Sequence, residues 1–266
     1  MVGKEKREMS LVEIEIKGFV GTITLHHTAK RNALSCALVN DIISALDTFS
    51  QKNVRVAVLR AEQGVKVWSA GHNVDELPGK GKDPLSEEDP LRCLVAKIKN
   101  AVFPVIAMVE GGVFGGANEV VAACDIVIAS ENATFKFTPA RMGVPYDKVG
   151  LTTMINAIGL RATKEMVFTA RSFSSDWAER HGLVSRVVYP DHLEKEVYAE
   201  AEDIAKNAPL AISSMKCTLR GLARIELPTL TDHNVWYQRF VAYSSADYEE
   251  GKRAFYEKRD PIFKGE

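Results

Sequence analysis

Two glycine-bearing segments stand where a backbone could do chemistry. Ser69-Ala70-Gly71-His72-Asn73 follows a strand-like run, and Gly111-Gly112-Val113-Phe114-Gly115-Gly116 precedes a helical one. Glycine lets a backbone approach a ligand closely. A helix that starts at Gly116 turns its free N–H groups and its positive dipole end towards whatever lies in front of it. That arrangement suits an oxyanion, such as a thioester carbonyl on its way to an enolate. A second N–H from the Gly71–His72 turn would complete a two-donor oxyanion hole, each donor worth about 3–4 kcal/mol of barrier. The same pattern also describes a tightly packed strand–helix turn. Neither segment is G-x-G-x-x-G or G-x-x-x-x-G-K-[ST], so dinucleotide and P-loop readings fail at the level of the motif.

These turns need elements to hold them. Alternation in Val12-Glu13-Ile14-Glu15-Ile16, then Val20 to Leu25 after Gly18, predicts a hairpin. Ser35 is a good N-cap for a helix whose Leu38, Ile42, Ala45, Leu46 and Phe49 form one apolar face. Val54 to Leu59 and Val105 to Val109 read as buried strands. Between them, Leu77 to Pro90 is rich in proline, glycine and charge, which predicts an exposed loop with a mobile tip. Pro90 after Asp89 then opens a helix with Leu91, Leu94, Val95 and Ile98 on one face. Ala117 to Cys124 and Asp125 to Ala129 continue the alternation of helix and strand, an α/β pattern. Helices dominate from Val149: Asp191 with Glu194 resembles a capping box, and Pro209 is placed to start a further helix. With no repeat and no linker, the simplest division is a core over residues 1–190 and a helical C-terminal region over residues 191–266.

Composition narrows the partners. The 266 residues are 46% hydrophobic and 26% charged, and 34 basic residues face 35 acidic ones for a net charge of -1. That excludes a disordered or fibrous chain and gives no electrostatic footprint for nucleic acid or an anionic membrane. Cys36, Cys93, Cys124 and Cys217 lie far apart, with no C-x-x-C pair and no zinc-ligand spacing, so reduced thiols and a cytoplasmic setting are expected. Met1 to Glu8 mixes Lys4, Lys6 and Arg7 with Glu5 and Glu8, and no apolar stretch follows, so no export is expected. Pro104, Glu110, Asn118, Glu119 and Asp125 interrupt the apolar run from Val102 to Ala129, which predicts a buried core instead of a membrane span.

Several ordered motifs carry a family resemblance. Lys30-Arg31-Asn32-Ala33-Leu34-Ser35, Ser69 to Leu77, Val109 to Glu119 and Cys124 to Ala129 together resemble the crotonase (enoyl-CoA hydratase/isomerase) superfamily. Ala254 to Phe263 resembles that family's C-terminal signature as well. The resemblance implies a crotonase-like α/β spiral of ββα units with a helical C-terminal trimerisation region, acyl-CoA substrates, and a homotrimer or a homohexamer built as a dimer of trimers. It implies an oxyanion hole from the backbone N–H groups of His72 and Gly116. It also implies pantetheine near Ala33 and Ala70, phosphates near Lys30 and Arg31, and Lys258 near a neighbouring subunit's CoA. For the basic residues the alternative is a solvated surface.

The reaction turns on carboxylates. The family's hydratases use two glutamates, because adding water to an enoyl double bond requires placing the water and moving its protons. Glu119 occupies the first position, but the second falls on Pro139, and no Glu or Asp occurs from Asn132 to Tyr146. His72, the stretch from Glu76 to Leu85, and Thr138-Pro139 followed by Gly143-Val144-Pro145-Tyr146 resemble a decarboxylating branch of the family. Loss of CO2 from methylmalonyl-CoA or a close malonyl-type thioester needs no base, since the breaking C–C bond leaves its electrons to the enolate, and neither biotin nor metal is expected. The breaking bond must stand perpendicular to the thioester plane. Tyr146 and Thr138 are the candidates for orienting the carboxylate without the ion pair that would stabilise the ground state; otherwise they are a turn residue and a strand-end residue. The His72 imidazole is placed to contact the carboxylate or CoA, or to pack. An ionised Glu119 would repel both substrate carboxylate and enolate, so it must be protonated, paired with a base such as Arg141, or turned away. A Δ3-Δ2-enoyl-CoA isomerase or hydratase using Glu119 is the alternative enzyme. A catalytically silent acyl-CoA-binding or RNA-binding member is the alternative of another class, and the balanced charge speaks against RNA.

Overall fold

The computed structural model describes residues 5–8, 11–223 and 232–265; residues 1–4, where the mixed charges of the N-terminus begin, lie outside that set. The chain opens with β1 (Glu5–Glu8), β2 (Val12–Lys17) and β3 (Val20–Leu25), antiparallel to one another in sequence order. The expected hairpin is β2–β3. α1 (Cys36–Gln51) follows, capped by Ser35 Oγ, which accepts from the Leu38 N–H at 3.2 Å.

Three turns of a ββα spiral come next. The first is β4 (Val56–Ala61), β5 (Val67–Ser69) and α2 (Pro90–Asn100). The second is β6 (Val105–Val109), β7 (Gly112–Phe114) and α3 (Ala117–Ala123), and the third is β8 (Ile126–Ser130), β9 (Thr134–Lys136) and α4 (Lys148–Thr169). Each turn gives its longer strand to one sheet and its shorter strand to another. The large sheet runs β1-β2-β3-β4-β6-β8-β11, parallel from β3 onward, and the small one runs β10-β9-β7-β5, where β10 is Ser172–Ser174 and β11 is Arg186–Val188. The fold is mixed α/β.

Both faces of the large sheet are covered, which is why Val56 to Leu59 of β4 and all of β6 read as continuous apolar runs. Ala57, Leu59, Val105 and Ala107 face the core shared with α1 and α2, while Val56, Val58, Ile106 and Ile128 face Leu193, Val197 and Ala201. Those three lie on α6 (Pro190–Lys206), which follows α5 (Ser175–Arg180). The expected capping box does not form there. α6 begins two residues earlier, at Pro190, with Tyr189 at its N-cap, and Glu194 pairs with Arg60 at 3.1 Å instead.

α7 (Pro209–Leu222) starts where Pro209 placed it, and α8 (Asp232–Tyr243) and α9 (Ala246–Glu257) complete the chain. The stretch from Leu77 to Pro90 is a loop, as expected, with residues 79–82 and 86–88 exposed, and these last two helices anchor it. Arg239 grips Asp83 through two hydrogen bonds of 2.7 and 2.6 Å, Tyr248 Oη donates to the Pro78 carbonyl at 2.9 Å, and Leu85 is buried. The loop is held beneath helices that lie far on in the sequence, which local composition does not encode.

Candidate active site

The small sheet explains how two distant turns meet. β5 and β7 are parallel neighbours with Ser69 opposite Val113, and β9 is parallel to β7 with Phe114 opposite Lys136. His72 lies three residues past Ser69, as Gly116 does past Val113. Thr138 lies two residues past Lys136, as Gly116 does past Phe114. All three therefore sit at one level beyond the carboxyl ends of adjacent parallel strands, where open α/β sheets bind ligands.

Close approach requires glycine at two places. A Cβ on Gly71, whose φ is +83°, would overlap the Phe114 carbonyl oxygen and lie 3.1 Å from the Gly116 nitrogen. Gly115, at φ +51°, faces Thr138 Oγ1, which would be 3.2 Å from its Cβ. Asn118 Nδ2 locks the second turn by donating to the carbonyls of Val113, Gly115 and Lys136 at 3.2, 3.0 and 3.1 Å. A bridge between Leu34 and His72 is made by the Gly71 carbonyl and the Asn73 N–H, which leaves the His72 N–H out of it. Among the described residues, neither the His72 N–H nor the Gly116 N–H has a hydrogen-bond acceptor. This is the geometry an oxyanion hole needs: adjacent, fixed and unspent donors.

Both turns open on a cleft of about 640 Å³. His72, Gly116, Thr138 and Tyr146 line it, as do Lys30, Arg31, Ala33, Ala70 and Lys258. The basic pair is placed by Asn32, whose Nδ2 donates to the Trp68 carbonyl at 3.0 Å, and by Ala70, whose N–H donates to the Arg31 carbonyl at 2.8 Å. Lys258, expected at a neighbouring subunit's CoA, lines the cleft of its own chain, because α9 folds back over the loop at Leu77–Pro90.

Glu119 alone of the expected residues does not line the cleft. It is 0% exposed, in the first turn of α3, behind Tyr146. Its partner is Arg92 of α2, not Arg141, which pairs with Asp260 at 2.5 Å at the cleft rim. Glu119 Oε2 accepts from Arg92 Nη2 and from Tyr146 Oη, the latter at 2.5 Å. Arg92 Nη1 reaches Asp147 Oδ1 at 3.2 Å, and Asp147 also caps α4 by accepting from the Gly150 N–H at 3.0 Å. Burial raises the Glu119 carboxyl above its ordinary value, against the pull of Arg92 and of the Tyr146 hydroxyl. Burial and the neighbouring Glu119 charge likewise push the Tyr146 phenol well above 10. Burial lowers Lys99, whose Nζ donates to Thr153 Oγ1 at 2.5 Å on the far side of this cluster.

The Tyr146 ring meets the edge of Phe137 at 4.7 Å between centroids and fills the space left by the missing side chain of Gly150. Its hydroxyl would lie 3.6 Å from a Cβ on Gly116, which puts it beside the oxyanion site. The His72 imidazole is committed to structure. Nε2 lies 2.8 Å from Asp89 Oδ2 and Nδ1 lies 3.1 Å from the Asn73 carbonyl. Burial opposes its charge, but Asp89, with the Asn73 carbonyl and Glu76, outweighs burial and raises it above 6.5.

Arg92, Asp147 and Asp89 are the functional neighbours that pattern alone did not bring out. Asp89 was legible only as a helix cap, a role it also fills through the Leu91 N–H at 2.9 Å. Among the described residues, no group of three or more His, Cys, Asp or Glu side chains is placed to hold a metal, and no helix is long and apolar enough to cross a membrane.

The sequence profile of the enoyl-CoA hydratase/isomerase family matches residues 15–266. The chain is 39% identical over 247 residues to methylmalonyl-CoA decarboxylase of Escherichia coli K12, covering 92% of this chain and 95% of that protein. It is 32% identical over 252 residues to a "probable enoyl-CoA hydratase" of Rhizobium meliloti, covering 94% and 96%. A solved structure of methylmalonyl-CoA decarboxylase in complex with 2-nitronate-propionyl-CoA superposes with a TM-score of 0.94 at 38% identity, covering 97% of this chain and all of the other.

Proposed function

The chain belongs to the enoyl-CoA hydratase/isomerase family and has its crotonase fold, and we propose that within this family it decarboxylates methylmalonyl-CoA, or a close malonyl-type thioester, to propionyl-CoA. What favours decarboxylation over hydration is the state of the two carboxylate positions. One is Pro139, and the other is Glu119, buried and engaged at Oε2 by Arg92 and Tyr146. A site in that state has no free carboxylate with which to place and deprotonate water. The 39% identity to a methylmalonyl-CoA decarboxylase supports the same reading.

In this mechanism the thioester oxygen accepts the N–H groups of His72 and Gly116. The carboxylate stands beside Tyr146 and Thr138, out of the thioester plane. The C–C bond breaks, CO2 leaves, its bonding electrons become the enolate that the two N–H groups stabilise, and a proton taken up at the α-carbon completes propionyl-CoA. Neither biotin nor a metal enters these steps, and CoA enters as part of the substrate. Lys30, Arg31 and Lys258 are the cations placed for its phosphates, and Ala33 and Ala70 the backbone beside its pantetheine. We assign the reaction to the cytoplasm, which suits Cys36, Cys93, Cys124 and Cys217, all unpaired. α7 exposes Met215, Leu219 and Leu222 on one face, which suits burial between copies in a trimer or a dimer of trimers. Light scattering reading a monomer at micromolar concentration would remove that part.

The deciding experiment supplies the purified protein, without biotin or added metal, with methylmalonyl-CoA and in parallel with crotonyl-CoA and 3-hexenoyl-CoA. Propionyl-CoA and CO2 from the first alone is the expected result. Added water or a shifted double bond in the others, without decarboxylation, would return the reaction to Glu119 as an isomerase or hydratase base.

A further inference from the structure

Behind the cleft wall lies a buried charged cluster of which only Glu119 and Tyr146 were assigned a role. Arg92 is 8% exposed and sits between two carboxylates, Glu119 on α3 and Asp147 at the start of α4, with its guanidinium carbon 5.7 Å from the centroid of the Tyr146 ring. Lys99, two turns along the same face of α2, is another cation near this group. Both contacts to Glu119, from Arg92 and from Tyr146, fall on the same oxygen, Oε2, while Oε1 is buried with no partner.

This geometry decides which way the Tyr146 hydroxyl points. A proton on Glu119 Oε1 would be a buried donor without an acceptor, which is costly. A proton on Oε2 would leave the Arg92 guanidinium only an acid hydroxyl to donate to, a weaker acceptor than the carboxylate it replaces. With Glu119 as carboxylate, Arg92 Nη2 and the Tyr146 hydroxyl both find their acceptor in Oε2, and only Arg92 Nε remains a buried donor without one. The phenol proton is then spent, and the Tyr146 oxygen turns its lone pairs to the cleft.

We propose that Arg92 is a positioning residue for the decarboxylation: held between Asp147 and Glu119, it fixes Glu119 as the acceptor of the Tyr146 proton, so that the substrate's carboxylate meets an oxygen there and Glu119 is withdrawn from acid–base chemistry. The activity part of this inference rests on the decarboxylase reading; the hold of Arg92 on Glu119 does not. Tyr146 thus meets the out-of-plane carboxylate with lone pairs and no proton, which leaves its charge unneutralised before CO2 departs, and Thr138 supplies the hydroxyl donor on the neighbouring strand end.

The test pairs spectroscopy with kinetics. In protein labelled with 13C at the glutamate carboxyl, the Glu119 resonance is assigned by its loss in Glu119→Gln. It is expected at a carboxylate position at neutral pH in the wild type and at a carboxylic-acid position in Arg92→Met. A wild-type acid position, or no change in Arg92→Met, would overturn the proposal whatever reaction the enzyme performs. With methylmalonyl-CoA, Arg92→Met is expected to lower kcat by roughly tenfold or more, leave propionyl-CoA affinity within about threefold, and recover part of the loss as Arg92→Lys. In a Tyr146→Phe background the same substitution is expected to cost less than about threefold, because its effect passes through Tyr146. Equal costs in both backgrounds would make Arg92 merely structural. Should Arg92→Met fail to fold, Arg92→Met/Glu119→Gln removes both charges and carries the kinetic comparison against Glu119→Gln. A wild type that leaves methylmalonyl-CoA intact would remove the decarboxylase reading while the carboxyl resonance still decides the hold of Arg92 on Glu119.

Discussion

Tyr146 Oη and Arg92 Nη2 converge on one oxygen of Glu119, and the second oxygen of that carboxylate touches no hydrogen-bonding group among the described residues. A carboxamide keeps the acceptor, since its carbonyl oxygen can take the place of Oε2, at the cost of a buried NH2 group without an acceptor where Oε1 lies. Glu119→Gln is therefore expected to keep decarboxylation within about tenfold of wild type, whereas Glu119→Ala, which removes the acceptor, falls well below it. Steady-state turnover of methylmalonyl-CoA compares the two. Equal losses in both variants would show that the charge, and not the acceptor, is what the site uses.

The Tyr146 ring occupies the side of α4 where Gly150 has no side chain. A Cβ on Gly150 would overlap Tyr146 Cε1 and stand 2.9 Å from Asp147 Oδ1, so the ring or the helix must shift. Gly150→Ala is expected to displace the phenol and lower kcat by roughly tenfold to a hundredfold, since catalytic groups tolerate little misplacement. The acyl-CoA contacts at Ala33, Ala70 and Lys30 lie elsewhere in the cleft, so propionyl-CoA affinity should stay close to wild type. Calorimetric titration with propionyl-CoA beside the turnover assay separates the two effects, and a parallel fall in affinity would place the damage in the whole cleft.

How much of this was open to reading follows from where each signal lies. The two glycine turns were legible because close backbone approach demands glycine, and β5 and β7 are short parallel neighbours that carry both turns to the same end of a sheet. Tyr146 and Thr138 were placed by a motif match, and the strand register explains their position. Arg92 was hidden. It sits among Leu91, Leu94 and Val95 on a helix whose apolar spacing accounts for the segment without it, and its partner Glu119 is 27 residues away. The hold of Arg239 on Asp83 spans 156 residues, so the loop's composition announced exposure while tertiary contacts pinned it. Pairing of buried charges between distant elements leaves no periodicity in either one.

The His72 imidazole ties the oxyanion turn to the N-terminus of α2 through Asp89. Its folded-state pKa is raised above the unfolded 6.5 despite burial, with Asp89 as the main cause. The sign follows directly. The pair's stabilisation is fully present below pH 6.5 and is lost as pH rises through the higher folded value. Asp89→Asn keeps an N-cap for α2 but removes the charge. It is expected to lower stability by about 1–3 kcal/mol at pH 6, by less at pH 9, and so to flatten the pH dependence of Tm. Thermal melts of both proteins across that range measure it, and parallel curves would mean that His72 is neutral throughout.

Lys216 carries the helical layer onto the core that holds Arg92. Its Nζ donates to the carbonyls of Ile98 and Phe103 at 3.1 and 3.0 Å and to Asp125 Oδ2 at 2.6 Å, with the lysine side chain only 9% exposed. Ile98 is in the last turn of α2, where a cation also complements the helix dipole. Lys216→Met keeps the aliphatic stem but leaves Asp125 and two carbonyls without their donor. Because Asp125 is partly solvated and also accepts from the Val105 N–H at 2.7 Å, the expected cost is about 2–4 kcal/mol, towards the low side of what a broken buried pair costs. Removing both charges as Lys216→Met/Asp125→Asn should recover part of that loss, since an amide tolerates the missing cation better than a carboxylate does. Chemical denaturation of the two variants decides it: a double variant no more stable than the single one would show that the carbonyl contacts, and not the ion pair, hold α7 in place.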